Sequence, residues 1–349
     1  MKIMIYEGPK KLKVSECSDL PIGNTQIRAK TICSAISHGT EMNVYRGSAP
    51  FFKRVMQNGI FVDADELPES WTFPMRSCDP GVWFMGYSAV GEVIEVGSDV
   101  SKVKVGDIVY AGTPHQSQII ANEWEVMVIP PEISPEKAVV FTNLQTTYNG
   151  ILDTDIRLGD TVVVSGLGVL GQLIVQMAKL SGALKVIAVD VCEKRLETAL
   201  KNGADFGFNP TKYDDVAMEV RKVTNFKGAD VVIEVSGNQS ALQNAMRMAG
   251  YDTTVTCIGW YQGSCAALDL SEEFHHNRIT LRCSQTGGIN PSIRHMWDNE
   301  RKNAACIEIL KKLDIDSLIT HRIPYDDAAK AYETVDLHPE EVIQVLLTY

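Results

Sequence analysis

The chain has 349 residues, long for a single core, so two domains are expected. With 45% hydrophobic and 22% charged residues it is ordinary globular material and not a disordered or fibrous chain. A formal charge of −11 argues against nucleic acid or an anionic membrane surface as a partner.

Met1 leads directly into strand-like Lys2–Tyr6 with no apolar signal segment, and no apolar run reaches membrane-spanning length. The expectation is a soluble, cytoplasmic protein with no membrane partner. The chain to about residue 140 is strand-rich, with β-branched or alternating patterns at Gln26–Ser34, Ala89–Val96 and Asp107–Tyr110. Glu92–Gly97 and Val103–Val109 read as barrel strands joined by a glycine turn. Between Val44 and Met85 lies a long connection carrying Phe51, Phe52, Phe61, Trp71, Phe73, Trp83 and Phe84. Such an insert suggests a lid or pocket wall, or aromatics that simply pack it down. The eight cysteines are scattered without a Cys-x-x-Cys pair and read as reduced, mostly buried thiols.

From Thr161 the rhythm becomes strand–helix alternation. Strands are expected at Thr161–Ser165, Lys185–Asp190, Asp230–Val235, Thr253–Ile258 and Ile279–Ser284. Helices are expected at Leu167–Leu180 and near Glu193–Lys201, Tyr213–Val223 and Ser240–Ala249. That alternation predicts a doubly wound parallel sheet. Beyond it, Ala304–Leu313 and Tyr325–Val335 read as helices and Val342–Leu347 as a last strand.

The first turn of this α/β region is Gly166-Leu167-Gly168-Val169-Leu170-Gly171, a Gly-x-Gly-x-x-Gly between strand and helix, with Asp190 nineteen residues after Gly171. Gly166 suits the tight turn, Gly168 a close pyrophosphate, and Gly171 close helix–strand packing. The pyrophosphate belongs at the helix N-terminus, where N–H groups lack partners. A carboxylate at Asp190 binds both ribose hydroxyls and repels a 2′-phosphate, which predicts NAD over NADP. Ser236, Gly237 and Ile258, at the ends of later strands, complete the expected cofactor-binding set.

Four stretches now fall in a recognisable order. They are Ile36–Glu41, Gly86–Gly97 with Gly106-Asp107, the segment from Gly159, and Leu318-Ile319-Thr320-His321-Arg322 leading into Asp327-Ala328-Ala329. Over nearly its whole length the chain resembles the medium-chain dehydrogenase/reductase superfamily of zinc alcohol dehydrogenases and zinc-free reductases. The resemblance implies a GroES-like β-barrel catalytic domain (1–142 and 287–349) and a doubly wound Rossmann domain (143–286). It also implies a homodimer or homotetramer pairing the last Rossmann strands, here Ile279–Ser284.

At the metal positions the sequence departs from the zinc members. Their first ligand, a Cys, is Ser37 here; their Gly-His-Glu is Gly86-Tyr87-Ser88. The structural zinc lobe should follow Tyr110, yet Ala111–Glu125 holds no cysteine. Hydroxyls are poor zinc ligands, so a zinc-free member is expected. A displaced site would have to draw on His38, Cys33, Cys78 or His115.

Without metal, side chains must hold the substrate oxygen and move its proton. The resemblance places three residues near the nicotinamide. Thr40 matches the hydroxyl that relays the alcohol proton, or it caps its own backbone. His38, with an ordinary pKa near 6.5, can exchange a proton at neutral pH, or it is structural. Tyr87 can donate to a carbonyl, and becomes a strong acid–base group only if its pKa of about 10 is lowered; otherwise it fills the vacated metal space. Ser37 lines the pocket, and Glu41 pairs with a basic group. Arg294, His295, Trp297 and Arg301 could bind a polar substrate. The expected function is NAD(H)-dependent interconversion of a small-molecule secondary alcohol (polyol, sugar-like or larger cyclic) and its ketone. Reduction of an activated C=C bond, or NAD(H)-sensing without catalysis, are the alternatives.

Overall fold

The computed structural model describes residues 1–65, 73–79, 82–266 and 268–349, with the side chains of 77–79 left aside. It divides into two compact units, Met1–Thr142 with Ile319–Tyr349, and Asn143–Leu318. Among the described residues no helix is long and apolar enough to cross a membrane.

In the first unit Gln26–Ile36 is the central strand, paired antiparallel with Ala89–Val96, Gln118–Asn122 and Gln344–Thr348. Its alternation buries Ile27 and Ala29 against Val93, Val109 and Ile119. The C-terminal chain adds Gln344–Thr348 to this sheet, with Ile319–Pro324 parallel beside it. A second sheet joins Lys11–Glu16, Lys2–Gly8, Val82–Met85 and Met75–Asp79. Its apolar face packs Met4, Met75 and Met85 with Ile36, Met42, Tyr332 and Leu347. This core holds the turn before Thr40–Tyr45 in place. The aromatics of the long connection divide: Phe51 is buried here, Phe52 and Trp83 pack on it, and Phe61 and Phe73 stay exposed. Trp71 lies outside the described residues.

The second unit is built on six parallel strands. From one edge they are Phe206–Phe208, Lys185–Val189, Thr161–Ser165, Val231–Glu234, Thr254–Cys257 and Thr280–Cys283. Val162, Val163, Val164, Ile187, Val232 and Val255 are wholly enclosed, as expected for strands covered on both faces. Helix starts follow their caps. The expected helix from Tyr213 begins at Val216, because Asp215 accepts from the Met218 amide. Likewise the one expected from Ala304 begins at Asn299, after Asp298. Tyr325–Asp327 forms a 3-10 turn before the helix Ala328–Leu337.

The expected return to the first unit at residue 287 falls instead at Ile319. Side-chain bonds explain why 287–318 stay with the parallel sheet. Gln145 donates to Asn303 Oδ1 at 2.7 Å, and Lys302 Nζ to the Thr286 carbonyl at 2.6 Å. Gln176 and the Asp314 backbone exchange two bonds.

Candidate active site

The candidate cofactor residues lie in the second unit. Gly166 turns at φ +91°, open to glycine and strained for other residues, and a Cβ there would lie 2.6 Å from the Ser236 amide nitrogen. A Cβ on Gly171 would stand 1.9 Å from the Gly166 carbonyl oxygen, so helix and turn meet at backbone distance. Around Gly168 no protein atom lies within 4 Å of a built Cβ. The helix Val169–Leu180 therefore starts two residues later than expected, with extended Gly168 as its N-cap and no side chain capping it. The helices from Val216, Gln239 and Asn299 are all capped by Asp or Asn side chains. The first amides of this one are left for an anion, and the cradle fits a dinucleotide pyrophosphate. Leu167 and Val169 turn their side chains into the core, so they offer backbone only; Leu170 is half-buried.

Asp190 follows the strand Lys185–Val189 and is buried. One carboxylate oxygen accepts the Leu167 amide at 2.6 Å and the other the Cys192 amide at 2.8 Å. The acid thus braces the glycine turn itself, a role the spacing alone did not reveal. Ser236 and Gly237 form the turn after Val231–Glu234, and the Ile258 side chain lies against the position a Gly150 Cβ would take. Glu234, wholly enclosed, was missed. Its carboxylate takes the amides of Ser236 and Gly237 and the hydroxyls of Ser236 and Tyr261. A charged residue closing the otherwise apolar Val231-Val232-Ile233 was the available signal.

The candidate proton-handling residues lie in the first unit. Ser37 and His38, both half-buried, follow the end of the central strand at Ile36, and Thr40 opens the short helix Thr40–Tyr45. Glu41 is wholly enclosed. Its Oε1 accepts the Ser37 amide at 2.9 Å; its Oε2 takes His115 Nε2 at 3.0 Å and the Tyr332 hydroxyl. His115 Nδ1 meets Ser34 Oγ at 2.7 Å, and Ser34 Oγ meets the Tyr349 hydroxyl at 2.9 Å. The expected basic partner of Glu41 is therefore His115, packed so closely that a Gly86 Cβ would sit 2.6 Å from its ring.

Tyr87 lies next to Gly86, its ring centroid 4.6 Å from that of Phe73. Burial, reinforced by the Glu41 carboxylate, pushes its phenol well above the ordinary value. The lowered pKa that would make Tyr87 a strong acid–base group is thus not provided. It is a protonated hydrogen-bonding group.

The ligand positions of zinc-dependent relatives do not fit zinc here. Ser88 donates to the Val139 carbonyl, and Ser37, Tyr87 and Ser88 all offer neutral hydroxyls. Both nitrogens of His115 are engaged, and the buried Cys33 thiol is pushed up to about 12 by desolvation. The Cys78 side chain lies outside those described. Among the described residues the one group of three close metal-ligating side chains is His338, Glu340 and Glu341, all exposed. Arg301 stacks over Trp297 at 4.2 Å and donates to the Met296 carbonyl.

A glycine-cradled dinucleotide site on a parallel sheet, with a second unit of antiparallel strands bearing the Ser37–Thr40 turn, defines an alcohol-dehydrogenase-like oxidoreductase. The chain belongs to the medium-chain dehydrogenase/reductase family. Residues 169–305 match the family described as zinc-binding dehydrogenase. The chain is 32% identical to the D-guloside 3-dehydrogenase of Escherichia coli strain K12, with 100% of each chain covered. It is 30% identical over 280 residues to the L-threonine 3-dehydrogenase of Pyrococcus abyssi, covering 71% of this chain and 77% of that one. In fold it is similar to a solved short chain alcohol dehydrogenase from E. coli CFT073 in complex with NADH. The TM-score is 0.76 at 19% identity, over 100% of this chain and 99% of that one.

Proposed function

We propose that this chain is an NAD(H)-dependent dehydrogenase acting on a secondary hydroxyl of a sugar-like ring, without catalytic zinc. The observation that carries the zinc-free reading is that neutral hydroxyls, Ser37, Tyr87 and Ser88, stand where ligands would be, with Ser88 committed to the Val139 carbonyl. Asp190 at the strand end supports NAD over NADP, since its carboxylate repels a 2′-phosphate. The full-length likeness to a guloside 3-dehydrogenase supports a sugar ring as substrate.

When bound, the cofactor supplies the hydride acceptor at its nicotinamide. The protein's own part is position and proton handling. Thr40 and His38 offer a hydroxyl and an imidazole to take the alcohol proton. Tyr87, kept protonated by burial, does not act as a base. Glu41, through the Ser37 amide, fixes the turn that carries Ser37, His38 and Thr40.

The test is elemental analysis of the purified protein together with NAD⁺ reduction on a panel of glycosides, polyols and cyclic alcohols. The expected result is turnover of a ring substrate, sub-stoichiometric zinc and activity that survives chelators. Asp190→Ala should narrow the preference for NADH over NADPH in binding titrations. A wild type that binds NADPH as tightly as NADH overturns the cofactor choice. We further read Thr280–Cys283, the exposed edge of the parallel sheet, as the pairing strand of a homodimer or homotetramer. A monomer in sedimentation at micromolar concentration rules that out.

A further inference from the structure

The acid that closes the strand Val231–Glu234 is used by no step above, and its surroundings give it one. Glu234 is wholly enclosed, a costly position for a carboxylate unless every lone pair is satisfied. Here four donors satisfy it: the Ser236 amide at 2.8 Å, the Gly237 amide at 3.2 Å, and the Ser236 and Tyr261 hydroxyls. The two successive amides form a small anion-binding nest, filled from within the protein. The backbone oxygen of the same residue takes the amides of Ile258 at 2.8 Å and Gly259 at 3.2 Å. One residue thus ties the turn after its own strand to the turn after Thr254–Cys257. These turns touch at backbone level: a Cβ on Gly259 would lie 2.2 Å from the Gly237 nitrogen, and one on Gly166 2.6 Å from the Ser236 nitrogen. Three loops at the carboxyl ends of adjacent parallel strands, the ligand-binding end of such sheets, are held at fixed spacing around one anion.

We infer that Glu234 is a positioning residue for the dinucleotide: its ionised carboxylate sets the loop spacing that accepts the cofactor, and its protonation loosens it. The inference rests on the NAD(H) reading above. A protonated carboxyl must donate one hydrogen and accepts less well, so it cannot hold all four donors. Burial also raises the carboxyl of Glu234 above its ordinary range, outweighing the opposing effect of its hydrogen bonds from Ser236, Tyr261 and Gly237. The titratable groups around it are the Tyr261 phenol and the Cys257 thiol, with Cys265 and Cys283 beyond. Tyr261 is pushed well upward by burial, and Cys257 to about 11, so neither changes charge in mild acid.

The experiment is fluorescence titration of the full chain with NADH between pH 7.5 and 5.5, for wild type, Glu234→Gln and Tyr261→Phe, beside thermal melts. Wild-type affinity should fall toward pH 5.5. Glu234→Gln should bind about tenfold more weakly at pH 7.5, the scale of one or two broken buried hydrogen bonds, with a flat pH profile. Tyr261→Phe keeps the carboxylate, so it should bind about threefold more weakly and retain the pH dependence. A Glu234→Gln protein that binds within twofold of wild type, with the wild-type pH profile, overturns the inference. So does a flat wild-type profile, which needs no variant to fold. A wild type that binds neither NADH nor NADPH at pH 7.5 overturns the cofactor reading and this inference with it.

Discussion

Glu41 and His115 meet at 3.0 Å with neither side chain exposed to solvent, joining the turn at Ser37 to the segment before Gln118–Asn122. The carboxylate also takes the Ser37 amide and the Tyr332 hydroxyl, so it serves three segments distant in sequence. Removing one member of a buried pair leaves the other desolvated and unmatched, which typically costs about 3 kcal/mol. His115→Ala and Glu41→Ala should each lose roughly that amount in denaturant unfolding. The double variant should lose less than the sum of the two. Additive losses would mean that the two groups do not depend on each other.

Gly168 and Gly171 give opposite expectations for the same substitution. A Cβ at Gly171 collides with the Gly166 carbonyl, so Gly171→Ala should lower the melting temperature and abolish NADH binding together. At Gly168 the protein leaves room and φ is −63°, so Gly168→Ala should melt within a few degrees of wild type. The added methyl points into the open space proposed above for the cofactor, and NADH affinity should still drop about tenfold or more. Equal melting losses in the two variants would contradict this division of roles.

Local pattern made the second unit legible. Val162-Val163-Val164, the glycine turn and the alternation after it each depend on neighbours within a few residues. Phe206–Phe208 escaped because three residues around a glycine carry no period. The return at Ile319 escaped because Lys302, Gln145 and Gln176 make their bonds to partners far along the chain. In the site, Asp190 was found by its distance from the glycines, but its bond to Leu167 was not. His115 stood out only as a residue able to bind metal. Its pairing with Glu41 depends on Gly86 being small enough to admit the ring, which no local pattern encodes.

Asp336 gives the first unit an acid-labile anchor. The Lys10 ammonium, joined by Arg46, holds its carboxyl below the ordinary range against the opposing effect of burial. A carboxyl whose folded pKa is depressed adds stability above its unfolded value of about 3.9, and that stability is lost as pH falls through the lower folded value. Asp336→Asn should therefore be less stable than wild type at neutral pH, by about 1 kcal/mol for partners this exposed. The two proteins should converge in strong acid. Urea unfolding at pH 7 and below pH 3 checks this, and a gap that persists in acid would point to packing, not charge.

Proton handling should divide unequally among the residues of the Ser37–Thr40 turn and Tyr87. The Tyr87 phenol is enclosed and pushed upward by burial, so it stays protonated and does not exchange protons. Tyr87→Phe keeps the ring against Phe73 and removes one hydroxyl able to donate a hydrogen bond, so kcat should fall about tenfold. Thr40→Val and His38→Ala remove the groups proposed to take the alcohol proton, and a positioned acid–base group contributes about 10²–10⁴-fold. Both should lose kcat on that scale while NADH affinity stays near wild type, since the glycine turn is untouched. The His38 variant should also lose the near-neutral limb of its pH–rate profile, where an imidazole titrates. These rates are read on the best ring substrate of the alcohol panel. If His38→Ala and Thr40→Val turn over within about threefold of wild type, well inside the acid–base range, the proton leaves by another route.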